Sequence, residues 1–169
     1  MKSFSNKYIF FYITVLVIVV VALLAVVTLG LKPRQTANRT ADKAMQILHA
    51  AGYQDVTSDK AVALFSRVAE KKTGEREVYG IRCADGSPGV VMRVDGKGLW
   101  GAIWGYVVLD EERTTVKGVV FSHKSETPGL GANIAEENFT SRFVGKKLYD
   151  ANGNFTSVRV LQKGKSPDV

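Results

Sequence analysis

Residues 89–123 read GVVMRVDGKGLWGAIWGYVVLDEERTTVKGVVFSH. Three runs dense in Val, Ile and aromatic residues alternate with polar, glycine-bearing breaks, the pattern of short strands joined by tight connections. The spacing predicts strands over Gly89 to Val94, Leu99 to Leu109 and Thr115 to His123, with turns at Asp95-Gly96-Lys97-Gly98 and Asp110 to Thr114. Just upstream, Glu77 to Cys83 is a fourth such run, and Asp85-Gly86-Ser87-Pro88 folds it back as a hairpin. Together these runs predict an antiparallel meander. Trp100 and Trp104, four apart in one expected strand, fall on the same face; core packing is their first expected role and a wall for a bound cofactor the second.

Outward from the strands, the period changes. Ala61, Leu64, Phe65 and Val68 form one helical stripe over Asp59 to about Lys71, with Ser58 or Asp59 as cap. Ala41, Ala44, Met45, Leu48 and Ala51 form another over Gln35 to Gly52, ended by Gly52 and continuing a preceding helix after a break at Pro33. Beyond His123, Ser125-Glu126-Thr127-Pro128-Gly129-Leu130-Gly131 is a loop that empties into an expected helix from Ile134 to Phe143, with Asn133 and Glu136 at capping-box spacing. Two last strands, Lys147 to Tyr149 and Phe155 to Leu161, flank a turn at Asp150 to Asn154. Helices and strands in separate blocks predict an α+β domain, mainly an antiparallel sheet with flanking helices.

The N-terminal run Ile9 to Leu31, IFFYITVLVIVVVALLAVVTLGL, carries no charge over 23 residues. About 20 apolar residues suffice to cross a bilayer as a helix, so this segment is expected to span a membrane. It is longer than the apolar region of a cleavable signal peptide, and Leu31-Lys32-Pro33-Arg34 is a poor cleavage site. Lys2 and Lys7 on one flank and Lys32, Arg34 and Arg39 on the other leave its orientation open. The expected organisation is a cytoplasmic tip and transmembrane helix over residues 1–31 and an extracytoplasmic domain over 32–169.

The formal charge of +7 is spread along the chain with both signs interspersed. No basic stripe or reading motif appears, so nucleic acid is not an expected partner; Lys71-Lys72 and Lys146-Lys147 read as solvated pairs. Cys83 is the single cysteine, which excludes an intramolecular disulfide and favours a small buried hydrophobe. His49 and His123 have no ligand spacing, and no metal site is expected. The Asn-x-Thr triplets at Asn38, Asn138 and Asn154 are short patterns common by chance.

The sequence carries no phosphate loop, nucleophile elbow or His-Glu-x-x-His pair, so no side chain is expected to be catalytic in its own right. Chemistry, if present, falls to a bound cofactor. The best holder is His123 to Gly131: Gly129 and Gly131 permit close backbone approach, the loop leads into a helix start, Glu126 and Thr127 offer an acceptor and a hydroxyl, and Leu130 can cover one face of a flat ring. A plain strand-to-helix turn at Pro128-Gly129 explains the same residues.

The order of features resembles the C subunit of the Na+-translocating NADH:quinone oxidoreductase. The resemblance is carried by the N-terminal anchor, Gly98-Leu99-Trp100-Gly101 through Trp104-Gly105-Tyr106, Val116-Lys117-Gly118, Glu126-Thr127-Pro128-Gly129-Leu130-Gly131 and Phe143-Val144-Gly145-Lys146-Lys147-Leu148. The Glu-Thr-Pro-Gly-Leu-Gly run is shared with the G subunit of the Rnf electron-transport complex; the flanking runs favour the oxidoreductase. The resemblance implies an FMN-carrying subunit of a larger assembly in a bacterial inner membrane, single-pass, with its C-terminal domain on the periplasmic side. It further implies electrons passing toward quinone, coupled to Na+ export, with NADH oxidised on another subunit. Glu126, Thr127, Leu130 and Gly131 would line the isoalloxazine site. The family joins FMN by a phosphoester to a threonine in a Ser-Gly-rich segment, and this sequence has no Ser-Gly dipeptide. None of Thr127, Thr140 or Thr156 takes that role, so the attachment threonine is expected beyond Val169 and the chain is expected to be C-terminally incomplete. The alternatives are the Rnf protein and a membrane-anchored assembly module without redox activity.

Overall fold

The computed structural model describes residues 5–71, 77–158 and 160. The chain divides into two compact units, Met1–Thr40 and Ala41–Val169. In the first, helix α1 (Asn6–Ala50) begins and runs through Pro33 as one element, so the break expected at Pro33 does not form. Its N-terminal part is long and apolar enough to cross a membrane, and side chains such as Phe10 (76% exposed) and Leu23 (63%) have no protein cover.

In the second unit the last turns of α1 are a core element. Ala44, Ile47, Leu48 and Ala50 are buried there at three- and four-residue spacing. The helix stops at Gly52, whose φ of +87° a side chain would resist. The Gly52 N–H donates to the His49 carbonyl and the Tyr53 N–H to the Leu48 carbonyl, each at 3.0 Å, which satisfies two of the helix's orphan carbonyls in the glycine-ended pattern. Helix α2 (Ser58–Val68) starts after Thr57 rather than Ser58 or Asp59, with no side-chain cap. It packs Ala61, Leu64, Phe65 and Val68 onto Ala44 and Leu48, and its expected last turn is instead the short strand β1 (Ala69–Lys71).

The sheet is an antiparallel meander in the order β1-β2-β3-β4-β5, with β2 (Val78–Arg82), β3 (Pro88–Lys97), β4 (Ala102–Leu109) and β5 (Val116–His123). Period-2 alternation sends Tyr79, Ile81, Val91, Tyr106 and Val108 to one face, where they meet Ile47, Ala50 and Ala51. Gly118 lies on that face because a Cβ there would overlap the Ala50 carbonyl. Lys43, paired with Glu77, also donates to the Tyr79 hydroxyl at 2.8 Å, and burial lowers its pKa. On the other face Phe121 packs against Phe139 and Phe143, with ring centroids 6.1 and 5.4 Å away. Gly105 makes room for Phe121, whose ring would lie 2.5 Å from a Cβ.

The single helix expected over Ile134 to Phe143 is three short pieces: a 3₁₀ turn (Gly131–Ala135), one α-turn α3 (Glu137–Thr140) and a second 3₁₀ turn (Ser141–Phe143). Neither end has a side-chain cap, so the capping box does not form. The strand expected at Lys147 to Tyr149 is a bridge: Lys147 pairs with Thr115, and the Gly145 and Leu148 N–H groups donate to Val116 and Thr114 at 2.8 Å. Phe155 bridges Tyr149, while part of the strand expected from Phe155 to Leu161 lies outside the described residues.

Candidate functional site

The meander delivers two connections to one end of the sheet: the β3–β4 turn and the segment leaving β5. The first closes at Gly98–Gly101, where the Gly98 N–H donates to the Gly101 carbonyl at 2.8 Å. β3 therefore runs through Lys97, three residues beyond its expected end, and Trp100 sits in the turn rather than in β4. The second connection forms a turn at Thr127–Leu130, with the Leu130 N–H donating to the Thr127 carbonyl at 3.1 Å. Proline at its second position and Gly129 at its third, with φ +75°, are the residues a type II turn requires. The Thr127 carbonyl also accepts from the Ala132 N–H at 3.1 Å, which ties this turn to the following 3₁₀ turn.

Glu126 joins the two connections. It is 8% exposed, the one buried charged side chain among the described residues. Its Oε1 accepts from the backbone N–H of Trp100 at 2.9 Å and of Gly101 at 3.2 Å. Its own N–H donates to His123 Nδ1 at 3.3 Å, and the Ser125 hydroxyl donates to the Trp100 carbonyl at 3.2 Å. Gly98 and Gly131 flank the carboxylate: a Cβ on Gly98 would overlap Oε1, and one on Gly131 would lie 2.6 Å from Oε2. Lys97 and Lys124, both exposed, border the two turns.

What this frame displays is apolar. Leu99 is 83% exposed, Trp100 68% and Leu130 73%. Exposed apolar side chains are informative as a group rather than singly, and these three stand on two turns that Glu126 joins. In the adjoining 3₁₀ turn, the Asn133 Oδ1 is buried without a partner among the described residues. The structure thus brings Glu126, Thr127, Gly129, Leu130 and Gly131 together and adds Leu99, Trp100 and Asn133. Trp104 is placed elsewhere: its indole packs against the main core cluster and its Nε1 donates to Gln46 at 3.3 Å. Core packing, the first role expected of both tryptophans, falls to Trp104 alone, because Trp100 lies in the turn. No cluster of three or more His, Cys, Asp or Glu able to hold a metal occurs among the described residues.

The FMN-binding domain model matches residues 98–169, beginning at the Gly98–Gly101 turn. A crystal structure of the C subunit of the Na(+)-translocating NADH-quinone reductase from Parabacteroides distasonis superposes with a TM-score of 0.72 at 32% identity, covering 80% of this chain and 79% of that one. The chain belongs to the NqrC family, the C subunits of the Na(+)-translocating NADH-quinone reductase. Relatives named as that subunit include those of Neisseria meningitidis, 29% identical over 83% of this chain and 73% of the relative, and of Vibrio vulnificus, 26% identical over 80% and 69%. The NqrC structure of Shewanella oneidensis, at 21% identity and a TM-score of 0.60, covers 77% of this chain and 80% of its own and shares the fold. An FMN-binding NqrC-type subunit is therefore supported over the Rnf protein.

The site residues suit a flavin. Its isoalloxazine is flat and largely apolar, as the exposed Leu99, Trp100 and Leu130 require of a partner, and Gly129 has nothing within 4 Å of where a Cβ would stand. The buried Asn133 Oδ1 would accept a hydrogen bond from such a group, and Lys97 and Lys124 would put positive charge near its phosphate.

Proposed function

We propose that this chain is the membrane-anchored, FMN-carrying electron-transfer subunit of a Na+-translocating NADH:quinone oxidoreductase. The ring would be held between the turns Gly98–Gly101 and Thr127–Leu130. The carrying observation is the trio of exposed apolar side chains on these turns, inside the region that matches the FMN-binding domain. Bound FMN supplies one- and two-electron redox chemistry, which no side chain in the described residues offers. The chain's own part is to bind and orient: Leu99, Trp100 and Leu130 cover ring faces and exclude water, Thr127 offers a hydroxyl, and the backbone at Gly129 and Gly131 allows close approach.

The same reading assigns electron passage toward quinone to this protein and NADH oxidation to a partner, with Na+ export a property of the assembled enzyme. The helix within Asn6–Ala50 would anchor the chain in a bacterial inner membrane with the C-terminal domain on the periplasmic side. Its partners would be the bilayer and the other subunits.

The test is a titration of the detergent-solubilised full chain with FMN, followed by quenching of flavin fluorescence. Saturable quenching that Leu130→Asp weakens about tenfold or more supports the site. Absence of saturation, or binding indifferent to Leu130→Asp, removes it.

A further inference from the structure

Burying an ionised carboxylate is costly unless hydrogen bonds replace its water. Glu126 meets that cost with two backbone donors, Trp100 and Gly101, that lie 26 and 25 residues earlier in the chain. Neither donor belongs to the loop that contains the acid. Two glycines then leave it space: Gly98 and Gly131 both have ordinary negative-φ backbone, so glycine is required there because the carboxylate fills the position of a side chain. Gly101 adds a third close approach, since a Cβ there would lie 2.5 Å from the Ser125 hydroxyl oxygen. Oε1 is therefore committed to protein backbone, and a ligand could recruit it only by breaking two bonds already made.

We propose that Glu126 is a positioning residue: its buried carboxylate staples the Gly98–Gly101 turn to the Thr127–Leu130 turn, holding Trp100 and Leu130 in place as preformed walls for one flat ring. This rests on the flavin assignment above and departs from the expectation that Glu126 lines the ring. The consequence is pre-organisation. Trp100 and Leu130 are each more than two-thirds exposed, so neither is fixed by packing, yet each is attached to a turn that the carboxylate fixes. Ordering both turns at the moment of binding would weaken the ligand; ordering them beforehand avoids that loss. The role needs an acceptor of the right size, not a charge near the ring.

The experiment compares the full chain in detergent as wild type, Glu126→Gln and Glu126→Ala, with two measurements on each. Amide hydrogen exchange without FMN reads the staple directly at Trp100 and Gly101; an FMN titration reads its effect on the site. Glu126→Ala is expected to speed exchange at these two amides about tenfold or more and to weaken FMN by a similar factor, while amides at the centres of β3 and β4 keep their protection. Glu126→Gln keeps an oxygen acceptor and is expected to restore protection and most of the affinity. If the alanine protein fails to fold, Gly131→Ala takes its place, because it sets a methyl against Oε2. Unchanged exchange at Trp100 and Gly101 in both disrupted variants overturns the staple. Protected amides in Glu126→Gln combined with affinity as poor as in Glu126→Ala also overturn it, because the charge would then be acting on the ring itself. A wild-type chain that binds no FMN would instead defeat the flavin assignment, and the exchange data would still decide whether the staple exists.

Discussion

The two ends of the sheet close their turns with carboxylates in opposite ways. At the end carrying the β2–β3 and β4–β5 connections, each acid takes its backbone and hydroxyl donors from its own turn, and Asp85 adds the Lys117 ammonium of β5 at 3.0 Å. Asp85 accepts from the Ser87 N–H at 2.9 Å and hydroxyl at 2.5 Å; Asp110 accepts from the Thr114 and Thr115 N–H groups at 2.7 and 3.2 Å. At the other end Glu126 ignores its neighbours and bonds a turn 25 residues away. In the first arrangement every backbone donor comes from the connection that holds the acid. The second fixes two connections against each other, and Leu99, Trp100 and Leu130 stand exposed on them. Local closure shapes a turn; closure across 25 residues fixes two turns together.

The sharpest way to break this contrast is to fill the space beside Glu126. Gly131→Val is expected to displace the carboxylate, costing about 2 kcal/mol of stability by overpacking and weakening FMN more than tenfold. Thermal unfolding and an FMN titration on the same preparation would show both losses together. Next in size is Trp100→Ala, expected to weaken FMN about tenfold while stability stays within about 0.5 kcal/mol, because the side chain is largely exposed. If stability fell as far as affinity, Trp100 would be a packing residue and the exposed-wall description would fail. At the opposite end Asp110→Ala is expected to lower stability by about 1 kcal/mol and leave FMN affinity unchanged. A loss of affinity there would erase the distinction between the two ends.

The same contrast explains how much the sequence discloses. Strands β2 to β5 were legible because β-branched and aromatic runs bounded by Asp-Gly and Pro-Gly pairs are local signals, and their meander order follows from short connections. The loop from Glu126 to Gly131 was legible as a turn for the same reason. The apolar pattern runs Trp100 into β4, because part of what holds the Gly98–Gly101 turn is an acid 25 residues downstream, which no window of sequence contains. The exposure of Trp100 is hidden with it, while Trp104 packs against the core as its strand position implies. The helix expected from Ile134 to Phe143 carries Phe139 and Phe143 four apart, on one helical face. Both do pack on Phe121, but Asn133, Asn138 and Thr140 give little helical propensity, and single turns suffice to aim the two rings. Continuity of α1 through Pro33 overrode a strong local breaker, at the loss of one backbone hydrogen bond.

The smallest expected effect concerns pH and isolates a local turn from the distant staple. Asp85 accepts hydrogen bonds from the Ser87 hydroxyl and N–H and from Lys117, which hold its pKa down at about 2 against an ordinary value near 3.8. A depressed carboxylate stabilises the fold fully above its unfolded pKa, and that contribution disappears as pH falls through the folded one. The stability difference between wild type and Asp85→Asn should therefore be largest above about pH 5 and shrink steadily toward pH 2. Because the side chain is exposed, added salt should reduce the difference at every pH. FMN affinity measured between pH 5 and 7 should be the same for both proteins, since the Asp85 turn lies at the end of the sheet away from the stapled loops. A stability difference that grew on acidification would mean that the Ser87 and Lys117 contacts do not favour the charged form. A matching change in affinity would mean that the two ends of the sheet are coupled after all.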